Sequence, residues 1–266
     1  MPATIEKTKQ MNEERKRLYV PIERTRRRPE AIADRIKDLI RAERLLPGDR
    51  LPQEKTLIDE FKAAKGTVRE AMKALETQGL IYTRSGPGGG AFVAQPSAQN
   101  AMELLGAYFF FDPPRLSEIY AIRKALEPEI AALLAGRLTS VNLADLESTI
   151  RIYDHAPANA DEQYRQRIAE LDFHSQLAQL CPNRLLGFLC GLMHNLLRDL
   201  PLARRIYGDP APASREEGLL FQYRLMAALK DGRSEEAREI AREHMVFAER
   251  YMLARAAALA DGEGTE

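Results

Sequence analysis

The chain has 266 residues, of which 45% are hydrophobic and 29% are charged. This length and composition are typical of a soluble protein with two globular domains that bury sizeable hydrophobic cores. No apolar run is long enough to span a bilayer and the first thirty residues are polar and basic, so we expect no membrane segment and no signal peptide. The two cysteines, Cys181 and Cys190, match no metal or redox spacing, which favours a reduced, cytoplasmic protein.

Charge is divided unevenly along the chain, although it sums to zero. Residues 1–96 contain 20 Lys and Arg against 14 Asp and Glu, a net charge of +6, whereas the remaining residues contain 19 against 25, a net charge of −6. The basic half is therefore the half that we expect to contact nucleic acid.

Residues 1–28 are polar, end in the run ERTRRR and show no periodicity, so we predict a flexible basic arm there. The arm either adds phosphate contacts or is simply a solvated tail. Ile32, Ile36 and Leu39 recur at helical spacing and predict a helix over about 29–44.

The stretch from Leu51 to Val93 predicts two short helices and a β-hairpin. The first helix covers about 53–61, the second covers about 65–78, and each has one apolar face, so the two can pack on each other and on the preceding helix. Residues 80–83 and 91–94 are short extended runs joined by the glycine-rich loop RSGPGGG. This order predicts a winged helix-turn-helix domain over 29–95.

The polar residues of the second helix crowd into its first turns, where a recognition helix contacts bases and phosphates in the major groove. They are Lys65, Thr67 and Arg69. Taken singly, paired amphipathic helices and basic side chains are ordinary features of helical proteins. The glycines do not form a P-loop, because the lysine and hydroxyl that complete that motif are absent. The order and spacing of the whole set are what point to DNA.

The same run, LPGDRLPQEKTLIDEFKAAKGTVREAMKALETQGLIYTRSGPGGGAFV, resembles the DNA-binding domain of GntR-family bacterial transcription regulators. The family pattern is roughly P-G-x-x-L-P-x-E-x-x-L, then [ST]-R-x-T-[VL]-R-E-A-[LM]-x-x-L, then G-L-[IV] and a glycine-containing wing. The resemblance implies DNA contacts from two helices and from the wing. The matching candidates here are Lys55, Lys65, Thr67, Arg69, Arg84 and Gly86.

Three positions depart from the family pattern. Ala64 replaces the usual Ser or Thr and removes an N-cap oxygen, which typically costs about 1 kcal/mol. Lys62 stands where glycine is usual, and Lys65 replaces an arginine. Because lysine lacks the bidentate fork of arginine, these departures affect the operator sequence and the affinity more than DNA binding itself.

Beyond a short linker over 95–100 no further strand is predicted, and amphipathic helices follow to about residue 258. This pattern predicts an all-helical bundle as the second domain, over 101–258. The predicted helices cover about 99–110, 115–137, 140–155, 161–181, 183–200, 214–230 and 234–258.

Several polar side chains of the bundle fall where the helical period demands apolar ones. Arg123 and Glu127 are four apart within one apolar stripe, which indicates either an internal ion pair or a ligand-binding arginine. Glu170 and His174 are also four apart and predict half of a metal site. Inward positions are further predicted for Tyr223 and His244, whereas His194 falls off its apolar stripe and His155 lies in a loop, so neither is given a site role.

From about 116 to 251 the chain resembles the effector-binding domain of the FadR branch of the GntR family. The recurring blocks are IYAIRKALEP, ELDFHSQLAQLCPN and AALKDGRSEEAREIAREHM. In many such domains one Asp and three His bind a divalent ion that, together with an arginine, holds a small organic acid. Carried over, the metal ligands are Glu170, His174, His244 and, with tyrosine in place of histidine, Tyr223, and the effector-binding arginine is Arg123. The implied ion is Zn, Ni or Mn, although some domains of this branch use no metal.

The sequence thus predicts a homodimeric, cytoplasmic repressor that binds a double-stranded DNA operator and senses a small carboxylate. One alternative is a metal-dependent enzyme that uses Glu170, His174 and His244 and carries a DNA-targeting module. Against it, no nucleophile or general base accompanies these residues. Another alternative is an architectural DNA-binding dimer without an effector. Operator sequence, effector identity and the direction of the effector's influence are not encoded in any pattern that we recognise.

Overall fold

The computed structural model describes residues 29–208 and 212–263, and the predicted basic arm lies outside them. The chain forms two compact units, one ending at Ala101 and the other beginning at Met102. The described residues are mainly α-helical with one small antiparallel sheet, which confirms the predicted fold class. Within these ranges, no helix is long and apolar enough to cross a bilayer.

The first unit is a three-helix core with a two-stranded hairpin. Its elements are α1 (Pro29–Ala42), α2 (Glu54–Phe61), α3 (Lys65–Thr77), β1 (Ile81–Arg84) and β2 (Gly90–Val93), and α4 (Ala98–Tyr108) follows. The hairpin strands pair in antiparallel register, with Ile81 opposite Val93 and Arg84 opposite Gly90. Backbone hydrogen bonds from Gly48 and Leu51 to β2, both 2.9 Å, tie the hairpin to the turn that precedes α2.

Apolar side chains from these helices and strands meet in a single core, which is what the helical spacing of the sequence predicted. The buried members include Ile32, Ile36, Leu39, Leu57, Phe61, Val68, Leu75, Ile81 and Val93. The core is small, so the hairpin depends on its contacts with α3 and with the turn before α2.

The two departures from the family pattern between α2 and α3 have visible structural consequences. Lys62 ends α2 in the left-handed region with φ of 50°, a conformation that glycine adopts without strain. Ala64 occupies the N-cap position of α3, and its methyl side chain cannot accept a hydrogen bond. The first backbone N–H groups of α3 therefore receive no acceptor from the N-cap side chain. A phosphate oxygen at this helix end would be such an acceptor.

The second unit is an all-helical bundle. Its helices after α4 are α5 (Leu116–Leu134), α6 (Ser140–Ile150), α7 (Ala160–Leu180), α8 (Arg184–Asp199), α9 (Pro201–Tyr207), α10 (Pro212–Lys230) and α11 (Ser234–Glu263). Three of them begin at short polar residues, Thr139, Asn159 and Asn183, whose side chains accept a hydrogen bond from the backbone N–H three residues later.

The structure differs from the sequence prediction at three helix boundaries. Helix α6 ends at Ile150, five residues earlier than predicted. Pro201 starts a separate short helix, α9, because proline suits the first turn of a helix even where it ends the previous one. Helix α11 continues to Glu263 instead of ending near 258. Helix boundaries are the least constrained part of a periodic pattern.

Candidate DNA-binding surface and effector cavity

The predicted DNA-contacting side chains lie on α2, α3 and the hairpin of the first unit. Lys55, Lys65, Arg69 and Arg84 are exposed, and Thr67 is half-buried. The Arg69 Nε donates to both carboxylate oxygens of Glu54, at 3.0 and 3.2 Å, which links α3 to α2. The two terminal nitrogens of Arg69 take no part in that bond, so the ion pair orients the guanidinium without occupying it.

The hairpin turn, here called the wing (residues 84–90), requires glycine at specific positions. Gly86 and Gly88 have positive φ values of 91° and 77°. A Cβ added to Gly89 would lie only 2.4 Å from the carbonyl oxygen of Arg84. The Arg50 guanidinium donates to the carbonyl of Gly89 from outside the hairpin. The wing therefore has one compact conformation that a side chain at Gly89 would not permit.

Side-chain contacts attach the wing to the recognition helix. Glu76, near the end of α3, accepts hydrogen bonds from the backbone and the hydroxyl of Thr83, at 2.9 and 2.7 Å. Tyr82 and Phe92 stack across the two strands with ring centroids 5.4 Å apart, and Arg84 lies over the Phe92 ring at 5.3 Å. These contacts attach the hairpin to the C-terminal end of α3.

A cavity opens among α5, α7, α9, α10 and α11 in the second unit. The space available to the centres of water molecules is about 40 Å³, several times the 10–15 Å³ or so that one water needs. The cavity thus suits a ligand of a few heavy atoms. Its polar lining consists of Tyr120, Arg123, Arg167, Glu170, His174, Tyr207, Ser214, His244 and Tyr251.

A buried carboxylate, Glu127, organises one side of this cavity. Its Oε1 accepts from the Arg123 Nε at 2.6 Å, which is the i,i+4 ion pair that the sequence indicated. Its Oε2 lies 2.7 Å from His174 Nδ1. A neutral His174 that donates its Nδ1 proton to this carboxylate keeps the Nε2 lone pair free for a ligand. Because Arg123 also lines the cavity, both sequence interpretations of this arginine are compatible with its position.

The prediction that His194 lies off the apolar stripe of its helix is wrong. His194 is fully buried, and its Nε2 lies 3.1 Å from Glu127 Oε1 while its Nδ1 lies 3.2 Å from the hydroxyl of Ser175. A signal was available, since His194 follows Cys190 by four residues on the same helix, and the Cys190 Sγ is 3.6 Å from the same Nε2. His155, by contrast, is exposed between Asp154 and Glu162, in agreement with its predicted loop position.

A second, partly buried ion pair also lines the cavity, between Arg167 and Glu170 on α7. The Arg167 Nη1 donates to Glu170 Oε2 at 2.6 Å. The other oxygen, Oε1, is 4.0 Å from His244 Nε2. A Cβ added to Gly218 would lie 3.1 Å from the Glu170 Oε1. The absence of a side chain at Gly218 therefore leaves space for the Glu170 carboxylate, which extends one methylene further than that of an aspartate.

The prediction that Tyr223 points into the bundle is wrong. Its side chain is 49% exposed, whereas Gln222, one residue earlier, is completely buried. Neither the amide nitrogen nor the amide oxygen of Gln222 has a hydrogen-bond partner among the described residues. Consecutive residues on a helix point about 100° apart. An assignment that is off by one residue therefore takes a surface residue for an inward-facing one.

Burial and neighbouring charges set the ionisation of these groups. Burial and the neighbouring His174 lower the pKa of His244 to about 3, although Glu170 acts in the opposite direction. Burial also lowers the pKa of His194, to about 4. Burial alone would raise the pKa of Glu127, but Arg123 and His174 hold it well below its usual range. At neutral pH, His194 and His244 are therefore neutral while Glu127 is ionised.

Two sets of side chains have donor atoms that suit a metal ion. Glu127, Cys190 and His194 have ligand atoms within 4.8 Å of one another, which no other described set of three achieves. Both Glu127 oxygens, however, already accept hydrogen bonds, and burial raises the pKa of the Cys190 thiol, so this set is a satisfied network.

The second set is Glu170, His174 and His244, which line the cavity together. The rings of His174 and His244 have centroids 5.0 Å apart, and His244 Nδ1 has no partner among the described residues. Around a tetrahedral ion with bonds of about 2.0 Å, ligand atoms lie about 3.3 Å apart, which is a small closure from the 4.0 Å between Glu170 and His244. Two imidazoles and a carboxylate are ligands that a divalent ion takes, but the three ligand atoms do not all lie within 4.8 Å of one another, so they would have to move closer to hold one.

Comparisons with known proteins agree with this architecture. A model of "Bacterial regulatory proteins, gntR family" matches residues 29–93, and a model of the FCD domain matches residues 118–247. The transcriptional regulator LutR of Bacillus subtilis is 26% identical over 159 residues, which cover 60% of this chain and 70% of LutR. The galactonate operon transcriptional repressor of Escherichia coli is 29% identical over 170 residues, 62% of this chain and 72% of the relative.

A solved structure of a Streptococcus agalactiae GntR protein has the same fold, with a TM-score of 0.59 and 23% identity over 84% of this chain and 99% of the other. The matched regions coincide with the helix-turn-helix unit and the cavity-bearing bundle. The chain belongs to the GntR family of DNA-binding transcription regulators, in the FadR branch that joins a winged helix-turn-helix to an FCD domain.

Proposed function

We propose that the chain is a repressor whose operator affinity is controlled by a small carboxylate in the FCD cavity. The observation that carries this proposal is the cavity itself, because it is sized for a few heavy atoms and lined by two arginines and two histidines. A merely structural bundle has no need of so many buried polar groups around an open space. One relative is named for the galactonate operon, and galactonate carries a carboxylate.

The proposal is tested by selecting operator fragments from genomic DNA with the purified chain and titrating small carboxylates into the complex. A change in operator affinity with one acid, and none with its amide, supports the proposal. An operator affinity that no carboxylate changes would favour the architectural alternative. Turnover of a bound acid would instead favour the enzyme alternative.

Arg69→Ala tests the role of α3 in DNA binding. We expect operator affinity to fall by about 1–3 kcal/mol if the guanidinium contacts a base, or the salt slope to fall by about one unit if it contacts phosphate. The lost ion pair to Glu54 is exposed and contributes about 0–1 kcal/mol to stability, so the fold should persist. Fluorescence anisotropy across a salt series measures the operator affinity and its salt dependence. Arg151→Ala, at an exposed residue of the second unit, is the control. Wild-type affinity and slope would contradict this role.

Gly89→Ala tests the wing. The added Cβ would clash with the Arg84 carbonyl, and overpacking of this kind costs about 1–3 kcal/mol, so we expect the wing to leave its compact conformation and operator affinity to drop. The three-helix core is untouched, so we expect the variant to remain folded, with a lowered melting temperature. Gly106→Ala is the matched control, since a Cβ there meets no atom within 4 Å. Equal operator affinity of the two variants would show that the wing is dispensable.

We further propose that one divalent ion, Zn, Ni or Mn, binds Glu170, His174 and His244. The ion would supply a Lewis-acidic position for a ligand oxygen. Elemental analysis of protein purified without chelator should find up to one ion per chain, lost in His174→Ala and in His244→Ala. Cys190→Ser separates the two sets of donors. Loss of the ion in that variant would place it at Glu127, Cys190 and His194 instead.

We propose that the chain acts in the cytoplasm as a homodimer, since recognition helices commonly read two half-sites of one operator. Supporting this, α4 has no buried residue, and it and the residues after it expose a cluster of apolar side chains, which are Leu104, Leu105, Tyr108, Phe110 and Phe111. Light scattering at micromolar concentration measures the oligomeric state. A monomer that binds a single half-site would contradict the proposal.

A further inference from the structure

The turn before α2 adds a third edge to the two-stranded sheet of the first unit. Backbone hydrogen bonds, each 2.9 Å, join residues 48–51 to β2. Within this stretch, Arg50 pairs with Phe92 in an isolated antiparallel bridge. Since Phe92 also pairs with Tyr82 of β1, residues 48–51 lie along the edge of β2 that β1 leaves free.

The core of the unit fixes the direction of the Arg50 side chain. Leu51 is buried, and neighbouring residues of an extended chain point to opposite faces, so Arg50 points outward and is exposed. Residues directly opposite each other in an antiparallel sheet share a face. Arg50, Phe92 and Tyr82 therefore form one row across the outer face of the sheet, with the two aromatic rings stacked.

The Arg50 guanidinium reaches from this row to the wing. Its Nη2 donates to the carbonyl of Gly89. The guanidinium also lies against Gly90, where an added Cβ would be 3.0 Å from Nε and 3.1 Å from Nη2. This contact orients a side chain that has much rotamer freedom in water, so less of that freedom is left to lose when a partner binds.

Most of the donors of Arg50 remain available. A guanidinium has five N–H groups, and the bond to Gly89 uses one nitrogen. Among the residues that the structure describes, neither Nε nor Nη1 of Arg50 has an acceptor. The adjacent carboxylate, Asp49, accepts from the backbone N–H of Leu46 at 2.7 Å and belongs to the turn. Arg50 thus offers an oriented, exposed positive charge beside the wing.

We propose that Arg50 is a further DNA contact of this regulator, in which Nη2 braces the wing through the Gly89 carbonyl and the remaining N–H groups bind one phosphate of the operator. The planar fork of arginine matches the oxygens of a phosphate. Because a phosphate contact reads no base, its contribution should be the same on operator and on unrelated DNA. The inference rests on the wing approaching DNA, which Gly89→Ala tests separately.

The experiment measures DNA binding by the full chain with fluorescence anisotropy across a salt series. Arg50→Met keeps an aliphatic stem and removes the charge and the donors, so we expect the Kd to rise about tenfold and the salt slope to fall by about one unit. Arg50→Lys keeps a charge for the phosphate and should retain the wild-type slope. Arg151→Met, at an exposed arginine of the second unit, is the matched control.

Operators that each carry one neutral methylphosphonate linkage identify the phosphate. At the contacted linkage, the modification should weaken binding of the wild type about as much as Arg50→Met does, and it should cost Arg50→Met nothing further. The circular dichroism spectrum and the melting temperature report whether each variant folds. If Arg50→Met does not fold, the neutral Arg50→Gln takes its place in both experiments.

Wild-type affinity and salt slope in Arg50→Met would overturn the inference. A lower affinity with an unchanged slope, and with additive losses at every linkage, would also overturn it, because Arg50 would then only brace the wing. A loss in Gly89→Ala without one in Arg50→Met would contradict this inference and leave the role of the wing intact. Wild-type binding in both variants would contradict both roles.

Discussion

Glu127→Ala should lower the free energy of unfolding of the second domain by about 3–5 kcal/mol, the usual cost of removing one partner from a buried ion pair. The carboxylate receives Arg123, His174 and His194, all of them buried. Without it, a guanidinium remains in the core with its charge uncompensated. Urea denaturation followed by circular dichroism measures the change.

Glu129→Ala is the matched control for this experiment. Glu129 lies on the same helix, but its carboxylate is half-exposed and pairs with Arg238 at 3.0 Å. Exposed pairs contribute about 0–1 kcal/mol, so this variant should unfold close to the wild type. If Glu127→Ala were no more destabilising than Glu129→Ala, the Glu127 network would not be a determinant of the bundle's stability.

Lowering the pH from 6.5 to 5.0 should destabilise the metal-free protein by about 3 kcal/mol through His194 and His244 together. In the folded chain, burial lowers their pKa values to about 4 and about 3, whereas an unfolded histidine has a pKa of about 6.5. Below pH 6.5 the unfolded chain therefore binds protons that the folded chain does not. The stability is fully present above that pH and is lost as the pH falls.

Urea midpoints between pH 7.5 and 5.0, taken on chelator-treated protein, check this expectation. Changing His194 and His244 to glutamine removes both titrating groups, so the double variant should show a flatter pH dependence. His155→Gln is the control, because this histidine is exposed and the carboxylates of Glu162 and Asp154 raise its pKa. An unchanged slope in the double variant would mean that other groups cause the acid sensitivity.

The DNA-binding unit was predictable from sequence in some detail, because short local patterns specify it. Apolar residues at helical spacing define its helices, and the glycine-rich loop predicts the wing. The uncapped N-terminus of α3 could also be anticipated, since the Ala64 side chain has no oxygen that could accept a hydrogen bond. The ion pair between Arg69 and Glu54 could not, because it joins residues fifteen positions apart on two different helices.

The cavity was only partly predictable. Arg123, Glu170, His174 and His244 were singled out as polar residues on apolar faces, and all four line it. Arg167 carried an available signal, since it lies on the same helical face three residues before Glu170 and seven before His174. Tyr223 was placed inward in error, because a rotation of 100° per residue is too fine for a family pattern to resolve without packing partners.

By itself, then, the sequence determined the fold class, the order of the helix-turn-helix elements and some of the inward-facing polar residues, because these follow from local periodicity and side-chain chemistry. Tertiary structure alone decided how those residues pair. It assigned Glu127 to Arg123, His174 and His194, and it assigned Glu170 to Arg167. Such pairings depend on how separate helices approach one another, and the periodicity within any single helix carries no information about that approach.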